Sequence, residues 1–428
     1  MHCGCKVNQY ETDLMMKDFL DVGYEIVDFL NDTDVCVINS CSVTNLSTRK
    51  TRQNLSKAKK QGAVVVLAGC YAQELNNEKI SNVDIVIGNE EKKDIVNIVN
   101  KYIEEKASKK DCKNSIIYRV KDISKVEKYI QNSSLQKGIN VRESVKIEDG
   151  CNNFCSYCII PYVRGRVRSR NLEEILLEVK SLVKNGVGEI VLVGIEIASY
   201  GKDLKKDISL IDVVEKINKI EGLKRIRLGS IEPRILTEEN ILRLSKLNKL
   251  CHHFHLSVQS LDNRVLHSMN RKYTREDIFK ITDCIKKYMP NAAFTCDIIV
   301  GFPGETNEEF LNTIEGVKRV SFYEVHAFKY SKRKWTRAAD FENQIDGNIS
   351  QLRSEKLILL AKWQKQKYME KFLEKKVLVL FEEYKDGYLY GYTSNYIKVK
   401  AKGDSNLWGS QVEVELISIE NELILGNI

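Results

Sequence analysis

Three cysteines, Cys151, Cys155 and Cys158, stand in the run Gly-Cys-Asn-Asn-Phe-Cys-Ser-Tyr-Cys, a C-x3-C-x2-C spacing. Three thiolates this close can hold three irons of a 4Fe-4S cluster and leave the fourth iron without a protein ligand. An open iron is what a small chelating substrate needs, so the spacing reads as a reaction centre more than a staple. A closed structural zinc site normally has a fourth thiolate or imidazole close by in sequence. The next cysteine is Cys251. Zinc and free thiols remain the alternatives from spacing alone.

The chain has 428 residues, 43% hydrophobic and 29% charged, which suits two or three soluble domains with sizeable cores. No apolar run approaches the roughly 18 residues of a membrane helix. The first residues, Met-His-Cys-Gly-Cys-Lys, lack the layout of a signal peptide. With 12 cysteines and no secretory signal, a reducing cytoplasmic setting and metal or catalytic thiols are expected, not disulfides and not a membrane. The net charge of +8 permits a polyanionic partner without requiring one.

In the first hundred residues, two apolar runs, Val35–Asn39 and Ala63–Ala68, end just before Cys41 and Cys70. Runs apolar throughout are expected of strands buried on both faces of a parallel sheet. A helical stretch from Asn45 to Gln61 lies between them, with Gly62 placed to stop it. The expectation is a doubly wound α/β domain, with sites gathered beyond the carboxyl ends of the strands. Cys5 precedes an amphipathic helix carrying Leu14, Met15, Phe19 and Leu20. Cys5, Cys41 and Cys70 are therefore either a second metal site or scattered core thiols, since cysteine is among the most buried residues.

From about Glu143 to Ala361, short apolar strands alternate with amphipathic helices, which argues for a parallel sheet or barrel. The candidate strands are Val145–Glu148, Ile190–Val193, Arg225–Leu228, His253–Ser257, Ala293–Ile299 and Tyr323–Phe328. Glu196, Glu232, Gln259 and Asp297 fall at strand ends, where a barrel places its site, or where polar residues merely cap loops. Arg164, Arg166, Arg168 and Arg170 follow the cysteine run without an acid between them. They line a solvated face or meet phosphates. A second acid-free run holds Lys329, Lys332, Arg333, Lys334 and Arg337. Residues 101–142 are charge-rich and read as an exposed boundary between domains. From about Lys371 the pattern turns to short β-runs, with Asp386-Gly387 as a hairpin signal, and suits a small OB-like barrel. Residues 371–428 hold 7 lysines against 9 acids, so charge alone would not hold RNA there. Tyr384, Tyr388, Tyr390, Tyr392, Tyr396 and Trp408 are candidates to stack on bases, or are ordinary strand residues.

The cysteine run at the start of a βα pattern resembles the radical S-adenosylmethionine (SAM) superfamily. Segments 4–12 (GCKVNQYET), 38–45 (INSCSVTN), 68–73 (AGCYAQ), 150–170, 229–234 (GSIEPR), 255–274 and 297–306 (DIIVGFPGET) resemble the methylthiotransferases, in order, over nearly the whole chain. The resemblance implies an α/β chain in three parts: residues 1–115 as the N-terminal methylthiotransferase domain, 116–142 as a linker, 143–365 as a radical SAM core with a partial (β/α)6 barrel, and 369–428 as a TRAM domain. It implies a catalytic 4Fe-4S cluster on Cys151, Cys155 and Cys158 that binds SAM, and an auxiliary 4Fe-4S cluster on Cys5, Cys41 and Cys70. It implies transfer of a methylthio group to adenine C2 in tRNA, with an electron donor such as flavodoxin or ferredoxin. The opening segment and 330–339 (YSKRKWTRAA) are most similar to the threonylcarbamoyladenosine branch, with the isopentenyladenosine branch as the alternative. A non-catalytic RNA-binding protein with structural metal is the reading from another class. Two departures stand out. Only four residues precede Cys5, where relatives carry a strand, so the start is misassigned or the sheet lacks an edge strand. Trp335 stands where relatives usually have glycine, and is costly if that backbone needs positive φ.

Overall fold

The computed structural model describes residues 4–29, 33–75, 78–108, 116–131 and 140–428. The N-terminal sheet is parallel, with strands β1 (Val35–Ser40), β2 (Val64–Gly69), β3 (Ile85–Ile87) and β4 (Ile117–Arg119) in that order. Its alternating side chains face two cores. Ile38, Val65 and Leu67 meet Leu55 and Ala58 of helix α2 (Asn45–Lys60) and Tyr71 and Leu75 of helix α3 (Cys70–Leu75). Val64, Val66, Ala68, Ile85 and Ile87 meet Met15 and Phe19 of helix α1 (Lys6–Asp21) and Ile95 and Val99 of helix α4 (Ile95–Ser108). Burial on both faces explains why these strands read as unbroken apolar runs. Among the described residues β1 is an edge strand.

The segment 116–142, expected as an exposed linker, differs from that reading. Ile117–Arg119 is β4 of the sheet, and Ile123 is buried with its carbonyl beside Gly165. The strand has only three residues, half-buried at Ile117 and Tyr118 and exposed at Arg119, too few to show a period in sequence. Part of the segment, 132–139, lies outside the described residues.

The central strands are β5 (Arg142–Lys146), a short hairpin of β6 (Glu148–Asp149) and β7 (Arg168–Ser169), β8 (Glu189–Val193), β9 (Arg225–Leu228), β10 (Ser230–Ile231), β11 (His253–Gln259), β12 (Ala293–Val300) and β13 (Glu324–Lys329). They form two parallel sheets, β5-β8-β9 and β10-β11-β12-β13, joined by a single bridge between Ile226 and Leu250. The arc is open between β5 and β13 among the described residues. One apolar core fills it, with helices α6 (Leu172–Lys184), α7 (Leu210–Asn218), α8 (Glu238–Ser245), α10 (Arg275–Tyr288) and α11 (Asn307–Val320) outside; α5 (Ile160–Arg164) and α9 (Asn263–Ser268) are short. Ser or Thr caps with an acid three residues on start α7, α10 and α11. Helix α12 (Gly347–Glu370) leads to a closed barrel of β14 (Lys376–Lys385), β15 (Tyr388–Thr393), β16 (Lys398–Lys402), β17 (Gln411–Glu420) and β18 (Leu423–Asn427), ordered β14-β15-β16-β18-β17. Asp386 and Gly387 both take positive φ, as a two-residue hairpin turn requires. Among the described residues no helix is long and apolar enough to cross a membrane.

Arginines weld this barrel to the core. Arg225 donates to the carbonyls of Tyr392 and Leu378, and Arg227 is gripped by Glu189 at 2.6 Å while its guanidinium lies 4.7 Å from the Tyr396 ring centre. Tyr392 stacks on Tyr396, and Tyr396 on His253. These two tyrosines thus take part in the seam, and both are half-buried. Tyr384, Tyr388 and Trp408 are exposed, and Lys400 lies 4.3 Å from the Tyr388 ring centre.

Candidate active site

The loop 150–158 leaves the β6 end and is fixed at many points. Gly150 has φ +84°, and a Cβ there would lie 1.9 Å from the Arg166 carbonyl, so only glycine fits. Cys151 donates its N–H to Gly165, Ser156 donates to Met269, and Asn270 donates to the Phe154 carbonyl. Arg271 reaches the Cys155 sulfur at 3.3 Å while its other nitrogens hold Ser257 and the Tyr273 hydroxyl. Burial pushes the Cys158 thiol up to about 12, with Cys155 next in effect, and pushes Cys151 up further. Three thiols that sense one another in a dry pocket beside a guanidinium form a donor set suited to deprotonation by metal.

Cys5, Cys41 and Cys70 sit on three loops. Cys5 caps the start of α1, Cys41 follows β1, and Cys70 opens α3. The sheet brings all three to one edge. Gly4 packs so closely on Cys41 that a Cβ would meet its Cβ at 2.7 Å. Burial, then the Cys70 sulfur, pushes the Cys41 thiol up to about 12, while Cys5 is exposed. Cys5 opens onto a cavity of about 820 Å³ that is also lined by Gly194, Gly229, His255 and Asp297.

The two triads are neighbours. Cys70 packs against Ile159, the residue after Cys158, and against Val163. Arg164 donates to the Cys70 sulfur at 3.2 Å, to Asn8 at 2.6 Å and to both carboxylate oxygens of Glu11. Lys92, Lys146 and Asp149 complete this buried network. The alternating arginines are thus not a solvated face. Arg168 pairs with Asp149 and Arg170 with Glu178, and both are buried; Arg166 alone of the four is exposed. Glu11, the partner of Arg164, is 153 residues away, whereas Glu178 lies only eight residues beyond Arg170, so the acid-free run hid three ion-paired positions and one exposed one behind one pattern.

Of the strand-end candidates, Glu196 lies beside the first triad. Burial, then Glu232, raises its carboxyl to about 7; Asn153 donates to one oxygen, and the other has no partner. An unpaired acceptor next to Cys151 suits a cationic ligand such as the SAM ammonium. Asp297 accepts from His255 and His326 at 3.2 Å each; burial would raise it, but these bonds hold it far below the usual carboxylate range. Glu232 is engaged by Arg234, and Gln259 takes φ +66° at the β11 exit. Arg164 was singled out in sequence as a surface or phosphate-facing arginine and is buried instead, whereas Glu11 and Arg271 were missed, and only the motif segments around them carried a signal.

Residues 1–88 match the family model described as Uncharacterized protein family UPF0004, and residues 145–317 match the Radical SAM superfamily. The chain is 39% identical over 97% of its length to a threonylcarbamoyladenosine tRNA methylthiotransferase MtaB of Bacillus subtilis, covering 92% of that protein. It is 36% identical to the protein of the same name in Aquifex aeolicus, over 94% of this chain and 95% of that one. It is also 36% identical to a tRNA-2-methylthio-N(6)-dimethylallyladenosine synthase of Clostridium tetani, over 89% and 84%. A solved radical SAM methyltransferase, TsrM of Kitasatospora setae, shares the fold at TM-score 0.57 and 13% identity, over 77% of this chain and 74% of that one. These likenesses exclude a merely structural-metal protein: the chain belongs to the radical SAM methylthiotransferase family, whose enzymes use SAM and two 4Fe-4S clusters.

Proposed function

We propose that the chain transfers a methylthio group to C2 of an N6-threonylcarbamoylated adenine beside the anticodon of tRNA. The adjacency of the two thiol triads through Cys70 and Ile159 carries this reading. In it, Cys151, Cys155 and Cys158 hold the catalytic cluster, and Cys5, Cys41 and Cys70 the auxiliary one. When bound, the first supplies the electron that cleaves SAM and the second holds the sulfur to be transferred. Arg271 and Arg164 offset thiolate charge, Glu196 accepts from SAM, and the cavity between Cys5 and Asp297 receives the base.

The threonyl carboxylate needs a cation in a dry site, because an unpaired buried anion costs several kcal/mol. Arg333 supports this branch. It is buried facing Glu74 and, more weakly, Cys41; its Nη2 donates to Ser331, and its Nε makes no hydrogen bond. Lys334 is engaged by Glu78, and Lys332 is exposed. The isopentenyl branch has its own support in the Clostridium tetani relative. A cytoplasmic setting and a flavodoxin or ferredoxin donor belong to the proposal. Nucleoside mass spectrometry of tRNA from cells with and without the gene tests it. Loss of the 2-methylthio-threonylcarbamoyl nucleoside is the expected result, and loss of the isopentenyl product alone overturns the branch.

A further inference from the structure

Trp335 has φ +64° and is 48% exposed. A tryptophan at positive φ is a costly placement, and this one gains little burial in return. Its ring lies 6.2 Å from that of Tyr162, itself 39% exposed, and Tyr162 stands edge-on to Phe154 at 5.7 Å. Arg166 closes the row, with its guanidinium 4.6 Å from the Phe154 ring centre. Phe154 lies inside the Cys151–Cys158 loop and also has positive φ. The tryptophan loop is tied to that loop by the Ala338 N–H on the Ser156 carbonyl, and to the start of α2 by Asn45 on Ser331.

The surroundings are cationic. The run from Lys329 to Arg337 has five cations and no acid, and α2 has six cations and no acid; Lys334 is paired with Glu78 and Lys59 with Asp84, so the excess is carried by the rest. Two exposed rings backed by a half-buried third, set in such a field, match single-stranded nucleic acid, whose bases stack while its phosphates meet cations. A protein partner would match the rings but would need an acidic face.

We propose that Trp335, Tyr162 and Phe154, closed by Arg166, form a stacking platform for an unpaired base adjacent to the target adenine. This rests on the reading of tRNA as substrate. The platform holds the flanking base outside while the target enters the cavity, so it acts on binding and positioning and performs no chemistry.

The test uses the full chain and an anticodon stem-loop RNA, with a fully paired duplex of equal length as control. RNA should change the fluorescence of the wild-type protein, and Trp335→Phe should lose that change while keeping affinity within about twofold. Trp335→Gly should weaken stem-loop binding about tenfold, or ~1.4 kcal/mol, leave duplex binding unaltered, and not lower the melting temperature, because glycine suits the backbone there. Wild-type affinity in Trp335→Gly, or equal loss in Trp335→Phe and Trp335→Gly, overturns the platform and leaves the tRNA reading intact. A wild-type protein that binds no stem-loop overturns both.

Discussion

The Arg164 Nε donates to the Cys70 sulfur at 3.2 Å, although 94 residues separate them. The same guanidinium grips Glu11, so one side chain ties the N-terminal sheet to the loop that follows the first triad. Arg164→Lys keeps the charge but loses the fork, so Cys70 and Asn8 lose a donor while Glu11 keeps Lys92 and Lys146. A buried acceptor left without its hydrogen bond costs about 1–3 kcal/mol. The variant should melt earlier and retain less iron than wild type. Unchanged iron and melting temperature would show that the guanidinium is dispensable.

The two triads should be separable by iron analysis. Replacing Cys5, Cys41 and Cys70 together with alanine should lower iron from about eight to about four per chain. SAM cleavage to 5′-deoxyadenosine should survive while methylthiolation stops. Replacing Cys151, Cys155 or Cys158 should abolish SAM cleavage. Retained cleavage in all three single variants contradicts the assignment.

His253 is buried against Tyr396, and burial, then Arg227, pushes its imidazole well below the ordinary value of 6.5. The folded state therefore favours the neutral ring, while the unfolded chain protonates below pH 6.5. The stability from this group is complete above pH 6.5 and is lost as the pH falls from there toward the folded value, by up to about 1.4 kcal/mol per pH unit. His253→Gln should flatten the melting temperature between pH 6.5 and 5. A slope unchanged from wild type would assign the acid sensitivity elsewhere.

Glu189 is fully buried under Arg227, with Arg142 and Arg225 at about the limit of an ion pair. Arg227→Leu should cost about 3 kcal/mol, since it strands a carboxylate. The joint variant Arg227→Leu with Glu189→Leu should recover part of that loss. A double-mutant cycle in denaturant reads the coupling.

Arg333→Ala should weaken binding of threonylcarbamoylated tRNA about tenfold, in line with about 1.5–3 kcal/mol for a charged hydrogen bond. Unmodified tRNA should be held as before. Equal loss on both would make Arg333 a phosphate contact, visible as a salt slope reduced by about one.

The Cys151–Cys158 run was legible because its spacing is a local fact, whereas strand-end position left Cys5, Cys41 and Cys70 open between a site and core thiols, and only the family resemblance grouped them. The positive φ at Trp335 was also legible, because a glycine-for-tryptophan difference signalled it. Arg164 was misread because its partner Glu11 lies 153 residues away, outside any local window; the partners of Arg170, Glu174 and Glu178, lie within one, and only the start of α6 between them hid the pairing. The strand Ile117–Arg119 escaped because three residues show no period. That Tyr392 and Tyr396 stack on each other was not legible, because alternation marks a face without saying what lies against it.

The arginine seam has a consequence for measurement of length. Arg225 has committed two nitrogens to carbonyls of the C-terminal barrel, and Arg227 is bound to Glu189 on the core side. The barrel therefore cannot swing like a clamp. An RNA gripped by its exposed rim meets a ruler of fixed span, and only molecules whose reactive base lies at that span from the gripped point reach the cavity. Selection then works by distance before any base is read.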